Sequence, residues 1–185
     1  MRGFGSSLAD SRQTTSSVPP HYCAAMARSI RADLSNSEHE QLALRLWIEY
    51  AEDENAGGEK VADEVKRTLM NELRARDIDV FLGFYGDEPA GVSIVMKGFS
   101  TFNCKTLYNI HDFGVMKSYR RKGVGQAMMN EIFAYAKQQG VPKVTLEVLE
   151  KNKPAWDCYI KAGFKPYVLN PDLGWAIEMQ KYIDE

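Results

Sequence analysis

The chain has 185 residues, with 23 basic and 25 acidic side chains and a formal net charge of −2: long enough for one self-sufficient core, and without a global basic face for nucleic acid or an anionic membrane. Its cysteines, Cys23, Cys104 and Cys158, form no CxxC pair, and His21, His39 and His111 are scattered, which argues for a reducing, cytoplasmic setting and against a disulfide framework or a metal site. No apolar run reaches the 18 or so residues of a helical membrane span.

Residues 1–25 are rich in Ser and Thr, end near Pro19-Pro20 and lack the apolar stretch of a secretory signal, so they read as a disordered leader before a single domain over 26–185. The spacing then predicts a strand over Ser29–Asp33 and a helix over 37–53 carrying Leu42, Leu46, Trp47 and Tyr50. A second helix is predicted over Glu59–Arg76, with Val61, Val65, Leu69 and Leu73 on one stripe. Ile78–Tyr85 and Ala90–Gly98 flank the turn signal GDEP and read as a hairpin, followed by a strand over Thr106–Met116. A helix follows over Gly125–Gln139, stopped by Gly140, and Val144, Leu146 and Val148 alternate as a strand does. Pro154 and Gly163 bracket a short helix over 154–162, and Phe164–Leu169 and Trp175–Tyr182 read as closing strands.

The segment from Tyr119 to Gly125, YRRKGVG, sets Arg120, Arg121 and Lys122 against Gly123 and Gly125 at the start of a helix. It is neither a Walker loop, which needs GxxxxGK[ST], nor a dinucleotide fingerprint, whose third small position is Met128 here. What remains is an anion site: unpaired N–H groups at a helix start, bare backbone that oxygens can approach, and adjacent positive charge. A glycine-marked turn with solvated basic residues is the plainer alternative. Upstream, Gly114 interrupts the β-rich run NIHDFGVMKSY, as at a bulge or beneath a ligand pressed on the backbone. A strand splayed there would free N–H and C=O groups for an extended, amide-bearing chain. Pyrophosphate joined to such an arm describes coenzyme A.

Residues 106–165 resemble the acyl-CoA-binding core of the GNAT family of N-acetyltransferases. YRRKGVG matches the family's R/Q-x-x-G-x-G/A loop through Arg120, Gly123 and Gly125. LEVLEKNKPAWDCYIKAGF matches its next motif through Asn152, Ala155, Tyr159, Gly163 and Phe164. The resemblance implies an α/β (α+β) fold, a mixed, largely antiparallel sheet flanked by helices, that moves an acetyl group from acetyl-CoA directly to a primary amine. It implies pyrophosphate binding by Arg120, Arg121, Lys122, Gly123, Val124, Gly125 and Gln126. Phe113, Gly114 and Val115 would pair with the pantetheine arm, and Asn152, Ala155 and Tyr159 would line it.

Tyr159 stands where many members keep a tyrosine to protonate the departing thiolate, a task suited to a phenol of ordinary pKa about 10; packing in the core is the alternative. An amine acceptor must lose a proton, and His111 is chemically apt for taking it, since an imidazole ordinarily titrates near pH ~6.5. The family often places a carboxylate in this part of the strand, so His111 is a departure, and Asp112 and a water relay stay open beside it. Cys158 reads as a structural thiol. A small-molecule amine is the expected acceptor, with a peptide acceptor or a non-catalytic acyl-CoA sensor as alternatives; a homodimer is open. The acidic run Glu49, Glu52, Asp53 and Glu54 is either an attractor for a cation or a solvated face.

Overall fold

A computed structural model of the chain describes residues 26–54, 56–168, 170, 172, 179 and 181–183. The expected leader and Trp175 therefore lie outside the described residues. The elements run β1 (Ala27–Arg31), α1 (Ser37–Ala51), α2 (Asp63–Ala75), β2 (Asp79–Tyr85), β3 (Glu88–Ser100), β4 (Lys105–Val115), a 3-10 turn (Lys117–Tyr119), α3 (Val124–Gln138), β5 (Val144–Leu146) and α4 (Lys153–Lys161).

Local chemistry sets the boundaries. β1 stops two residues before the expected end because Asp33 turns the chain, its Oδ1 accepting the N–H and hydroxyl of Ser35 at 2.9 and 2.6 Å. Asn36 then caps α1 by accepting the N–H groups of Glu38 and His39. α2 starts at Asp63 rather than Glu59, since the N–H of Val61 is taken by the Glu52 carboxylate at 3.1 Å. β5 ends at Leu146, before the expected Val148, where the chain turns so that the N–H of Asn152 donates to Leu149 C=O at 2.9 Å. Residues 164–168 form no strand among the described residues, and Leu169 lies outside them.

The five described strands lie in the order β1-β2-β3-β4-β5, the first four antiparallel and β5 parallel to β4 after the α3 crossover. Both faces are covered, which is why β2 reads as an unbroken apolar run. Val80, Leu82, Phe84, Val92 and Ile94 pack with Ala43, Leu46, Met70 and Leu73 of α1 and α2. Phe81, Val95, Tyr108 and Ile110 pack with Met129, Ile132 and Ala136 of α3. Each such buried side chain contributes on the order of 1.5–3 kcal/mol.

One irregularity in β4 positions the site. Ile94 pairs with Asp112 and Val95 with Ile110, so His111 is an extra residue bulged out of the ladder. The bulge switches side-chain parity. Tyr108 and Ile110 face α3, and beyond the bulge so do Phe113 and Val115, while Asp112 and Gly114 face α1. The break expected at Gly114 therefore lies at His111. Gly114 has a different cause: a Cβ there would meet Tyr50 Cδ2 at 2.6 Å, so the missing side chain is the space through which the Tyr50 ring crosses the strand.

Candidate active site

α3 opens with Gly123 as its N-cap residue at φ +88°, preceded by Arg121 at φ +61°, and no side chain caps its first turn. Two left-handed residues in this loop leave the first helical N–H groups facing outward, the arrangement that favours an anion. Gly125 is informative in another way. Its backbone is not left-handed, and a Cβ would make only ordinary contacts, 3.5 Å to Cys158 Sγ and 3.6 Å to Phe113 and Val115. The fold does not demand glycine at this position.

The basic residues divide their tasks. Arg120 is tied into the protein: its Nε donates to Val115 C=O at 2.9 Å and its guanidinium pairs with Asp53 at 2.8 Å, clasping the loop to the end of α1. Lys122 lies over the rings of Tyr85 and Tyr119, 5.2 and 5.4 Å from their centres. Arg121 is exposed. The acidic run is also engaged: Asp53 holds Arg120, and Glu52 holds Val61 N–H and faces Lys66 at 3.6 Å.

Between the loop and α4 the sheet opens. The last β4–β5 pair among the described residues is Ile110 with Leu146, so β4 continues from His111 to Val115 with no described neighbour on that edge. Met116 N–H donates to Ala90 C=O on β3, so Val115 and Phe113, in the alternate phase, present their backbone groups to the open edge. Arg120 already occupies the Val115 carbonyl, and the Phe113 N–H donates to the Tyr50 hydroxyl.

Tyr159 of α4 stands on the α3 side of this opening, 8% exposed, with ring centres of Phe113 and Phe164 at 5.9 and 6.1 Å. No described residue hydrogen-bonds its hydroxyl. Burial, then Cys158 and Tyr50, push its pKa well above the usual phenol value, so it stays a donor. Burial also pushes the Cys158 thiol up, which suits a wall rather than a nucleophile. Asn152 caps α4, its Oδ1 accepting Ala155 N–H at 3.3 Å, so its helix-entry role is present in the structure.

On the α1 side, Asp112 is largely buried and accepts the Trp47 indole N–H at 3.1 Å. Burial raises its pKa, against the hydrogen bond from Trp47 and the charge of His111. His111 itself is exposed at the mouth of the opening. Tyr50 completes this wall, its pKa raised by burial and then by Asp112, against the Phe113 N–H. Sequence periodicity put Trp47 and Tyr50 on the buried stripe of α1 and carried no sign that both reach the edge of β4.

The profile of the acetyltransferase (GNAT) family matches residues 35–164, which include the glycine loop, the open edge and α4. The chain belongs to the acetyltransferase (GNAT) family. It is 26% identical over 104 residues to a thialysine N-epsilon-acetyltransferase of Caenorhabditis elegans, a match over 55% of this chain and 64% of that one. The chain spans less than two thirds of the length of the curated relatives it matches. Among solved structures, a probable acetyltransferase aligns over 84% of this chain and 99% of its own with a TM-score of 0.69 at 18% identity. An aminoglycoside acetyltransferase from an uncultured soil metagenomic sample aligns over 84% and 97% with a TM-score of 0.63 at 16% identity. These structural likenesses establish a mixed five-stranded sheet with four helices as the fold among the described residues. No described helix is long and apolar enough to cross a membrane.

Proposed function

We propose that this protein transfers an acetyl group from acetyl-CoA to a primary amine of a small molecule. The observation that carries the reading is the opening of the sheet after Ile110 and Leu146, bordered by an uncapped helix start and by a buried phenol with no partner. The site fits coenzyme A: Gly125 is a glycine the fold does not need, and the first N–H groups of α3 face out beside Arg121 and Lys122. Coenzyme A, when bound, supplies the activated acyl group as a thioester.

In this reading Arg121, Lys122 and the backbone from Gly123 to Gln126 hold the pyrophosphate, with Arg120 bracing the loop rather than reaching out. The free edge at Phe113, Gly114 and Val115 aligns the pantetheine arm, which Asn152, Ala155 and Tyr159 line. Tyr159 donates its hydroxyl proton to the departing sulfur. His111 takes the proton of the acceptor amine at the mouth, and the carboxylate of Asp112 offsets the charge His111 gains. The relatives named for thialysine and for aminoglycosides support a small amine as acceptor.

Calorimetric titration with acetyl-CoA, followed by thiol release across a panel of polyamines, aminoglycosides, lysine analogues and peptides, tests this. Binding with thiol release on a small amine is the expected outcome. Release only with peptides would transfer the assignment to a peptide acceptor, and binding without release to any amine would make the protein a sensor. Absence of acetyl-CoA binding would overturn the proposal.

A further inference from the structure

The Tyr50 ring crosses β4 in the space left by Gly114, where an added Cβ would fall 2.6–2.9 Å from its Cδ2, Cγ and Cβ. Its hydroxyl arrives at the open edge and accepts the N–H of Phe113. Across the opening stands Tyr159, close enough for the two phenols to raise each other's cost of ionisation. Tyr50 is 60% buried, held neutral, and no described residue accepts its own proton. A hydroxyl that accepts from one backbone donor is a better donor in turn, because hydrogen bonds in series polarise one another.

We propose that Tyr50 is a catalytic residue that donates its hydroxyl to the carbonyl oxygen of the bound thioester, with the Phe113 N–H as its own supporting donor. The inference rests on the acetyl-CoA reading above and goes beyond it in dividing the work between two tyrosines on opposite walls. In the step, the amine lone pair forms a C–N bond to the carbonyl carbon while the carbonyl π pair moves onto oxygen, where the Tyr50 hydroxyl meets the developing charge. The pair then returns, the C–S bond breaks with its electrons on sulfur, and Tyr159 protonates the thiolate. The amine proton goes to His111. Donors aimed at the oxygen before charge develops need no reorganisation during the reaction, which is why each counts for much in a water-poor site.

The test uses two readouts on the full chain. Tyr50→Phe keeps the ring against Gly114 and deletes only the donor. With acetyl-CoA labelled with ¹³C at the carbonyl, the bound wild type is expected to show that resonance shifted downfield by the donor, and Tyr50→Phe to return it toward the free value. Acetyl-CoA affinity should stay within about threefold, while kcat falls about 10²–10³-fold, as for loss of one such donor. Gly114→Ala, which displaces the ring and not the phenol chemistry, should lose the carbonyl shift as well. An equal carbonyl shift in wild type and Tyr50→Phe overturns the role of Tyr50 while leaving the acyl-CoA reading intact. No binding of acetyl-CoA by the wild type overturns both.

Discussion

The two halves of β4 share one strand and one pair of covering helices, yet they are built for different ends. From Lys105 to Ile110 the strand is paired on both edges, and Tyr108 is stacked on Tyr135 at 6.1 Å with its pKa pushed up to about 12 by burial, Asp79 and Tyr135. From His111 to Val115 one edge has no described neighbour, and Tyr159 faces it with an unpartnered hydroxyl. The buried carboxylates repeat the contrast. Asp79, 1% exposed, is neutralised by Arg31 at 2.7 Å and Lys97 at 3.6 Å. Asp112 has the neutral indole of Trp47 and an exposed histidine beside it. Closed and satisfied groups stabilise; open and under-satisfied ones are poised to bind, because each donor left free within a fold awaits a partner. A single bulged residue, His111, divides the two regimes.

The largest effect on this contrast should come from Tyr159→Phe. The ring still packs on Phe113 and Phe164, so the fold and acetyl-CoA affinity should hold while turnover falls about 10²–10⁴-fold, as for a lost general acid. Turnover equal to the wild type would return Tyr159 to the packed half of the comparison. Tyr108→Phe serves as the matched control, expected to alter stability and leave turnover unchanged.

Gly125→Ala comes next. Its new methyl would touch Cys158, Phe113 and Val115 at no less than 3.5 Å, so a denaturation curve should barely move. Acetyl-CoA affinity should drop about tenfold, the equivalent of one hydrogen bond of ~1.4 kcal/mol lengthened or lost. Unchanged affinity would remove the glycine loop from the site.

How much of this could be read in advance depends on the physical source of each feature. The helices and strands were legible because burial on alternating or helical stripes repeats along the chain, as with Val80, Leu82 and Phe84 against Phe81. The glycine loop was legible because a helix start without a capping side chain leaves its mark in Gly123 and Gly125. The bulge was not, since the clue at hand was Gly114, and that glycine serves the Tyr50 ring from a helix far away in sequence. Arg120 read as a free cation for the same reason: its pairing with Asp53 joins positions 67 residues apart, and no local pattern records it. The early end of β5 likewise depends on the turn into α4, not on the alternation of Val144, Leu146 and Val148.

A smaller effect is expected from His111→Gln. If the imidazole takes the proton of the acceptor, the variant should lose most of its rate near neutrality and recover at high pH, where solvent supplies free amine. A loss within about 10²-fold is expected, at the low end for a general base because His111 is exposed and water can replace it in part. A rate and acid limb identical to the wild type would assign proton removal to water.

The smallest effect, and the one that separates the two buried carboxylates most sharply, is on stability. Burial raises the pKa of Asp112 in the fold above the ordinary carboxylate value of about 3.9. The folded state therefore holds its proton to higher pH than the unfolded chain, so this group's contribution is full below the unfolded pKa and is lost as pH rises through the folded one. At neutral pH the ionised Asp112 is a net cost. Asp112→Asn removes the charge and keeps an oxygen to accept the Trp47 indole, so it should be more stable than the wild type at pH 7, the difference narrowing toward pH 4. Asp79→Asn should behave in the opposite sense, because it strands Arg31 and Lys97 beside a neutral group. Urea unfolding of both variants at the two pH values checks the signs. A loss of stability in Asp112→Asn at pH 7 would show that the open half, like the closed one, keeps its carboxylate for structure.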